Sequence, residues 1–418
     1  MHHSYKILII ILLVNLLSAC GENQPDIKWN YSKNEIICKD LVSIEKLNVD
    51  IYLDVTLSMG GFASSNTTNY SKLIEDLQAT CQDVWKKGEI KFFKFGKVVE
   101  DMKGTDLISA RTSPVIYTSA ISHETNFDEA IKKTDPKKVS IIITDLFYNE
   151  NEVNRMKEAL KTYCIQRGVE VGLIGLKSNF NGVVGDVQPP VTIKVPRPFY
   201  VVIMGDKSNI NMFFKTLKNK GYINPNQFYL ITNKPAEDFN VNIVKDKTCK
   251  SLNKQSLKKE LEDFGTVFNF RMKKEEKNAS FNFEANITPN QYFFPYTDKN
   301  LKIDFYKKSR IQKDSSLTNE ITIKNLKIVG NKITGSIDLT NTDPEGKFSY
   351  LGYITFDNTV TPSMPAWITQ YNADDVAEFR QNVDKTLHLS KLLTELTTSN
   401  ITYNQPKLAK FYINIEKQ

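Results

Sequence analysis

Two short and almost wholly apolar runs, Val49 to Val55 and Val139 to Thr144, restrict the fold more than any other feature of the chain. A strand that is apolar on both sides must be covered on both faces, the condition met inside a parallel sheet flanked by helices. The intervening sequence supplies the helices. Tyr70 to Lys86, Asn126 to Lys133 and Glu152 to Arg167 carry apolar residues at helical spacing, and Ile90 to Phe95 and Val169 to Leu176 are further strand candidates. The alternation predicts a doubly wound, mostly parallel α/β sheet. A Gly- and Pro-rich linker spans Gly182 to Pro198, after which Phe199 to Met204, a helix from Ile210 to Lys220 and Gln227 to Thr232 read as the last units of that sheet.

Beyond about residue 260 the period falls to two, the mark of half-buried antiparallel strands. Phe281 and Phe283, Ile321 and Ile323, Leu326 and Ile328, and Ile333, Ile337 and Leu339 alternate with polar neighbours, and Gly330-Asn331 suits a hairpin turn. Val376, Phe379, Val383 and Leu387 return to helical spacing, and Ala409 to Ile415 reads as a closing strand. The expected domains are an α/β unit over residues 47–235 and a β-sandwich with a helical appendage over residues 262–418.

The start of the chain has a basic Lys6, an apolar run from Ile7 to Val14 extended by Leu16 and Leu17, and then Leu17-Ser18-Ala19-Cys20. That layout reads as a secretory signal. The run is short for a spanning helix, which needs about 20 apolar residues. The last four residues resemble the lipobox of bacterial lipoproteins. The resemblance implies removal of residues 1–19, acylation of Cys20 and a tether through residues 20–46, with a first ordered segment near Glu35 to Leu41. It implies a place in the cell envelope, with Gly21 rather than Asp after the cysteine pointing to the outer membrane of a two-membrane bacterium.

A chain that is 40% hydrophobic and 11% aromatic over 418 residues can bury a large core, so it is no disordered stalk. The net charge of +7 is spread among interleaved Lys and Asp/Glu, without an arginine block, which argues against nucleic-acid binding. Cys38, Cys81, Cys164 and Cys249 remain after Cys20, enough for one or two disulfides or for buried thiols. With only His123 and His388 in the mature chain, a histidine-built zinc site is disfavoured.

The chemistry concentrates where the first strand ends, in Asp54-Val55-Thr56-Leu57-Ser58. In a doubly wound sheet, ligands sit outside the carboxyl ends of the strands. Asp145 follows the second apolar strand at the same edge, and Thr125 precedes a helix start between them. Two carboxylates and three hydroxyls make a hard-oxygen set suited to Mg²⁺, Mn²⁺ or Ca²⁺.

In these residues, the segment from 47 to about 178 resembles a von Willebrand factor A domain, whose metal-ion-dependent adhesion site has an Asp-x-Ser-x-Ser loop, a distant Thr and a second Asp. The resemblance implies that Asp54, Thr56, Ser58, Thr125 and Asp145 hold a divalent cation, Mg²⁺ first, to which a protein partner offers an acidic residue. Leu57 and Leu146 stand where glycines are common in that family.

Rival readings are fewer. Gly205-Asp206-Lys207-Ser208 lacks the glycine and Gly-Lys pair of a phosphate loop and reads as a strand-to-helix turn. No Gly-x-Ser-x-Gly elbow occurs. Arg197-Pro198-Phe199-Tyr200 reads as core packing ahead of a contact surface, and Phe281, Phe283, Phe293 and Phe294 as sandwich core. The expectation is a membrane-anchored binding protein and no enzyme. The alternatives are a metal-dependent phosphoesterase using Asp54 and Asp145, or a structural envelope protein with an empty site.

Overall fold

The computed structural model describes residues 46–146, 150–184, 187, 189–223, 227–247, 252–255, 267–309 and 316–418. The expectations for Cys20, Cys38, Cys249 and the segment Glu35 to Leu41 lie outside the described residues.

The first half runs β1 (Val49–Asp54), α1 (Asn69–Val84), β2 (Ile90–Phe95), β3 (Val99–Asp101), α2 (Gly104–Thr112), α3 (Phe127–Lys132), β4 (Val139–Thr144), α4 (Glu150–Tyr163) and β5 (Glu170–Ser178). It continues through β6 (Gly182–Val184), β7 (Val191–Ile193), β8 (Arg197–Gly205), α5 (Lys207–Asn219) and β9 (Phe228–Ile231). Seven of these strands form one sheet in the order β3-β2-β1-β4-β8-β5-β9.

The sheet is mixed, and here the expectation of a mostly parallel sheet needs correction. Only β1–β2 and β1–β4 pair in parallel. β8 slots between β4 and β5 and pairs antiparallel with both, and β9 pairs antiparallel with β5. The cause is the connection from β5. A parallel neighbour requires a crossover, whereas an antiparallel one requires only a return of the chain. The stretch read as a linker folds into the small hairpin β6–β7 and brings β8 straight back beside β5.

β8 shows why such strands are apolar on both faces over Phe199 to Met204. Phe199, Val201 and Ile203 pack with α1 and α5 on one face, and Tyr200, Val202 and Met204 with α4 on the other. Cys81 and Cys164 are buried free thiols in these two layers.

The second half contains β10 (Ala236–Lys245), β11 (Leu252–Gln255), β12 (Val267–Met272), β13 (Asn278–Pro289), β14 (Leu301–Ser309), β15 (Ser316–Leu317), β16 (Ile321–Val329), β17 (Lys332–Thr340) and β18 (Gly346–Phe356). Then come α6 (Ala366–Tyr371), β19 (Asn372–Ala373), α7 (Val376–Gln381), β20 (Thr386–Leu387), α8 (Leu389–Asn404) and β21 (Lys407–Lys417). A four-stranded sheet, β10-β13-β17-β16, and a six-stranded sheet, β11-β12-β21-β18-β14-β15, share one apolar core. Phe281, Phe283, Ile333 and Ile337 of the first pack with Phe270, Phe411 and Ile413 of the second. Gly330, at φ 60°, turns β16 into β17.

Two further expectations change. β10 and β11 belong to the sandwich, so it begins at Ala236 rather than near residue 262. The helical appendage is inserted between β18 and β21, neighbours in one sheet, yet it packs on the α/β half. Leu392, Leu393 and Leu396 of α8 meet Leu173, Val202 and Tyr229 on the face shared with α4. Trp367 of α6 occupies the space that a Cβ on Gly175 would need, 2.5 Å away. Polar contacts seal the junction: Tyr229 Oη to Thr397 Oγ1 at 2.7 Å, and Asn400 Nδ2 donating to the Thr232 carbonyl at 3.0 Å. The stripe Val376 to Leu387 is not one helix, since α7 ends at Gln381 and the long helix starts at Leu389.

Candidate functional site

β1 and β4 lie side by side in parallel, with Leu53 opposite Ile143, so their carboxyl ends bring Asp54 next to Thr144 and Asp145. Asp54 is wholly buried and Asp145 nearly so. The Asp54 carboxylate organises the loop that follows it. Its Oδ1 accepts from the Thr56 amide at 2.9 Å and the Thr56 hydroxyl at 2.6 Å, an Asp-centred turn. Its Oδ2 accepts from the Thr144 hydroxyl at 2.8 Å. Ser58 Oγ lies 3.4 Å from Thr56 Oγ1, inside the 3-10 segment Leu57–Ser64.

This carboxylate is not at ease when ionised. Burial, and next the charge of Asp145, push the Asp54 carboxyl up to about 7, against the three hydrogen bonds that hold it down. The Tyr70 and Tyr117 hydroxyls meet at 2.8 Å, and Tyr117 donates to the Ala110 carbonyl. Burial foremost, with Asp54 and Asp145 contributing, holds the Tyr70 phenol above its ordinary range.

Thr125 stands in the loop before α3, half-buried. That loop is tied to the same sheet edge: Leu57 N donates to Ser122 O at 3.2 Å, and Asn126 N to Gly96 O at 2.9 Å. Thr125 itself makes no hydrogen bond to the other four residues. Thus Asp54, Thr56 and Ser58 are joined directly, Asp145 is joined to them through its charge, and Thr125 is placed nearby. Among the described residues no three His, Cys, Asp or Glu side chains gather, so a cation here would depend on two carboxylates supplemented by hydroxyls.

Leu146 takes φ 47°, the left-handed region where a side chain costs energy and glycine does not. It lies almost wholly buried among Phe127, Met156 and Leu393. The backbone shape that a glycine would adopt freely is therefore held here by packing.

Thr144, whose hydroxyl donates to Asp54 Oδ2, is the member of this group that the sequence pattern does not single out. Its signal was the one polar side chain closing an isoleucine run immediately before Asp145. Arg197 packs against aromatic rings, as its sequence context implies. It is fully buried at the amino end of β8, its guanidinium 4.8 Å from the Phe180 ring and 5.8 Å from that of Phe379. Gly205 to Ser208 forms the turn into α5, with Asp206 capping the helix by accepting from Ser208 N.

No protein-family model matches the sequence and no curated protein matches it, so the chemistry of these side chains is the ground for assigning a function.

Proposed function

We propose that the protein is an envelope-anchored lipoprotein whose von Willebrand A-like half binds a protein partner through a divalent cation, Mg²⁺ foremost. The observation that carries this reading is the pair of buried carboxylates, Asp54 and Asp145, with two hydroxyls beside them. Like charges in a low-dielectric site repel until a cation neutralises them. The residues fit such an ion. The Thr56 hydroxyl proton is committed to Asp54, which leaves the oxygen's lone pairs for a cation, and Ser58 adds a second hydroxyl oxygen. Thr56 and Ser58 would hold the ion, Asp54 and Asp145 would supply its counter-charge, and Thr125 would complete the set.

When bound, the cation supplies a positive centre for a carboxylate of the partner. Leu57 and Val115 are exposed on two 3-10 segments that pack against one another and would add apolar contact area. Anchoring through Cys20 would hold this surface at the membrane.

Calorimetric titration with Mg²⁺, Mn²⁺ and Ca²⁺ tests the site: the wild type binds, and Asp54→Asn and Asp145→Asn do not. An absence of heat and of thermal stabilisation with all three cations would remove the adhesion mechanism. Turnover of a generic phosphoester, lost in Asp54→Asn, would instead favour the phosphoesterase. Fatty-acid labelling that marks the wild type and not Cys20→Ser tests the anchor independently.

A further inference from the structure

The end of the α/β sheet opposite Asp54 is basic. Three neighbouring strands, β2, β1 and β4, run in parallel and begin there, with Val49 opposite both Ile90 and Val139. Lysines stand immediately ahead of each strand: Lys86 and Lys87 before β2, Lys46 before β1, and Lys133, Lys137 and Lys138 before β4. They are far apart in sequence, and the parallel register gathers them along one edge.

The segments that carry them are pressed together. A Cβ on Gly88 would stand 1.9 Å from the Leu47 carbonyl oxygen, so the turn into β2 can lie against the entering chain only with glycine there. Glu89 N donates to Asn48 Oδ1 and Val139 N to the Asn48 carbonyl, each at 3.0 Å.

The acids of this edge are already engaged. Glu89 pairs with Lys91 at 3.4 Å, Asp50 with Lys138 at 3.0 Å, and Asp128 and Glu129 with Lys132, each at 2.8 Å. The Asp135 carboxylate accepts from the Lys137 amide at 2.9 Å. Lys86, Lys133 and Lys137 are exposed and form no ion pair among the described residues. Charges of one sign gathered on a surface attract an extended anionic partner.

Position selects that partner. The chain enters the α/β half through Lys46, so a tether from Cys20 joins the fold at this edge. The six residues of β1 separate it from Asp54 by about 20 Å, more than twice the Debye length of about 8 Å at physiological ionic strength. Anionic headgroups at one edge therefore leave the other clear. We propose that the edge bearing Lys46, Lys86, Lys133 and Lys137 rests on the anionic phospholipid headgroups of the membrane, with the Asp54 edge facing away. The orientation rests on the anchor proposed above; the headgroup contact does not.

The test uses the processed chain, residues 20–418, with Cys20→Ser so that no acyl group contributes. It is sedimented with vesicles of phosphatidylcholine containing phosphatidylglycerol, or of phosphatidylcholine alone. Binding should require phosphatidylglycerol and fall steeply with added salt. Each lysine at an anionic surface strengthens binding about fivefold, so Lys86→Glu with Lys137→Glu should weaken it at least about twenty-five-fold. Lys215→Glu with Lys218→Glu, an equal change of charge at exposed positions of α5, should leave binding nearly unchanged. Thermal melts equal to the wild type verify that both variants are folded. Equal binding to the two kinds of vesicle, binding to neither, an equal loss in the α5 variant, or binding confined to soluble polyglutamate run in parallel would each overturn the proposal. Fatty-acid labelling of Cys20 is read separately: labelling without vesicle binding would overturn the headgroup contact and leave the anchor, and vesicle binding without labelling would support the contact and remove the anchor.

Discussion

The Thr144 hydroxyl donates to Asp54 Oδ2 at 2.8 Å across the β1–β4 pair, so the strand that delivers Asp145 also holds Asp54 in place. The acid pair is thus a property of two neighbouring strand ends, and its charge state and the stability of the sheet edge are coupled.

Asp54 binds its proton more tightly in the folded chain, near pH 7, than in the unfolded chain, near 3.8. A raised folded value means stability that is fully present below about pH 4 and lost as the pH rises through about 7. Cation-free wild type should therefore lose roughly 4 kcal/mol between pH 4 and 8 relative to Asp54→Asn, an order-of-magnitude figure. Urea unfolding of both proteins across that range, in chelator, measures it. Parallel pH profiles would show that the pair is not strained.

At pH 8 a divalent cation should restore what the repulsion removes. Stabilisation of about 2.7 kcal/mol is expected at one hundred times the dissociation constant, and none in Asp54→Asn. Asp54→Ala is a harsher change than its place at the sheet edge suggests. It strips the acceptor from the Thr56 amide, the Thr56 hydroxyl and the Thr144 hydroxyl, and should lower stability even without metal.

Leu146 permits a test of ranking. Leu146→Ala and Leu146→Gly both remove buried apolar area, but only Ala retains the penalty of a positive φ, about 1–2 kcal/mol. The Gly variant should be the more stable by about 1 kcal/mol, the reverse of their order in ordinary backbone. Chemical denaturation of the pair decides it, and an Ala variant at least as stable as Gly would remove the strain.

The apolar layer around Leu146 links distant parts of the chain. Leu393→Ala in α8 should destabilise the whole protein by about 2–5 kcal/mol, in one transition, because it opens a hole against Leu173, Val202 and Tyr229. A fragment of residues 46–235 should fail to unfold cooperatively, since it lacks α6 and α8. A cooperative transition in that fragment would show that the inserted helices are dispensable.

The legible parts of the fold were those with local causes. The β1 and β4 runs are apolar on both sides, and Asp54, Thr56 and Ser58 sit within five residues, so strand, edge and hydroxyl loop could be read together. The place of β8 was not legible. Its composition matches a central strand of either direction, and direction is set by the length and shape of the return from β5. Thr144 was hidden because its role depends on which strand neighbours β1. The docking of α8 was hidden for a related reason: apolar residues at helical spacing record that a face is covered and not which sheet covers it.

Placing α6 to α8 between β18 and β21 also sets a timetable. A chain delivered amino end first lays down β1 to β9 long before residues 389–404 arrive to cover one face of their sheet. Until then the side chains of Leu173, Val202 and Tyr229 have no lid, and a large chain with exposed apolar surface is one that chaperones retain. The early half stays unfinished until nearly all of the polypeptide has been made.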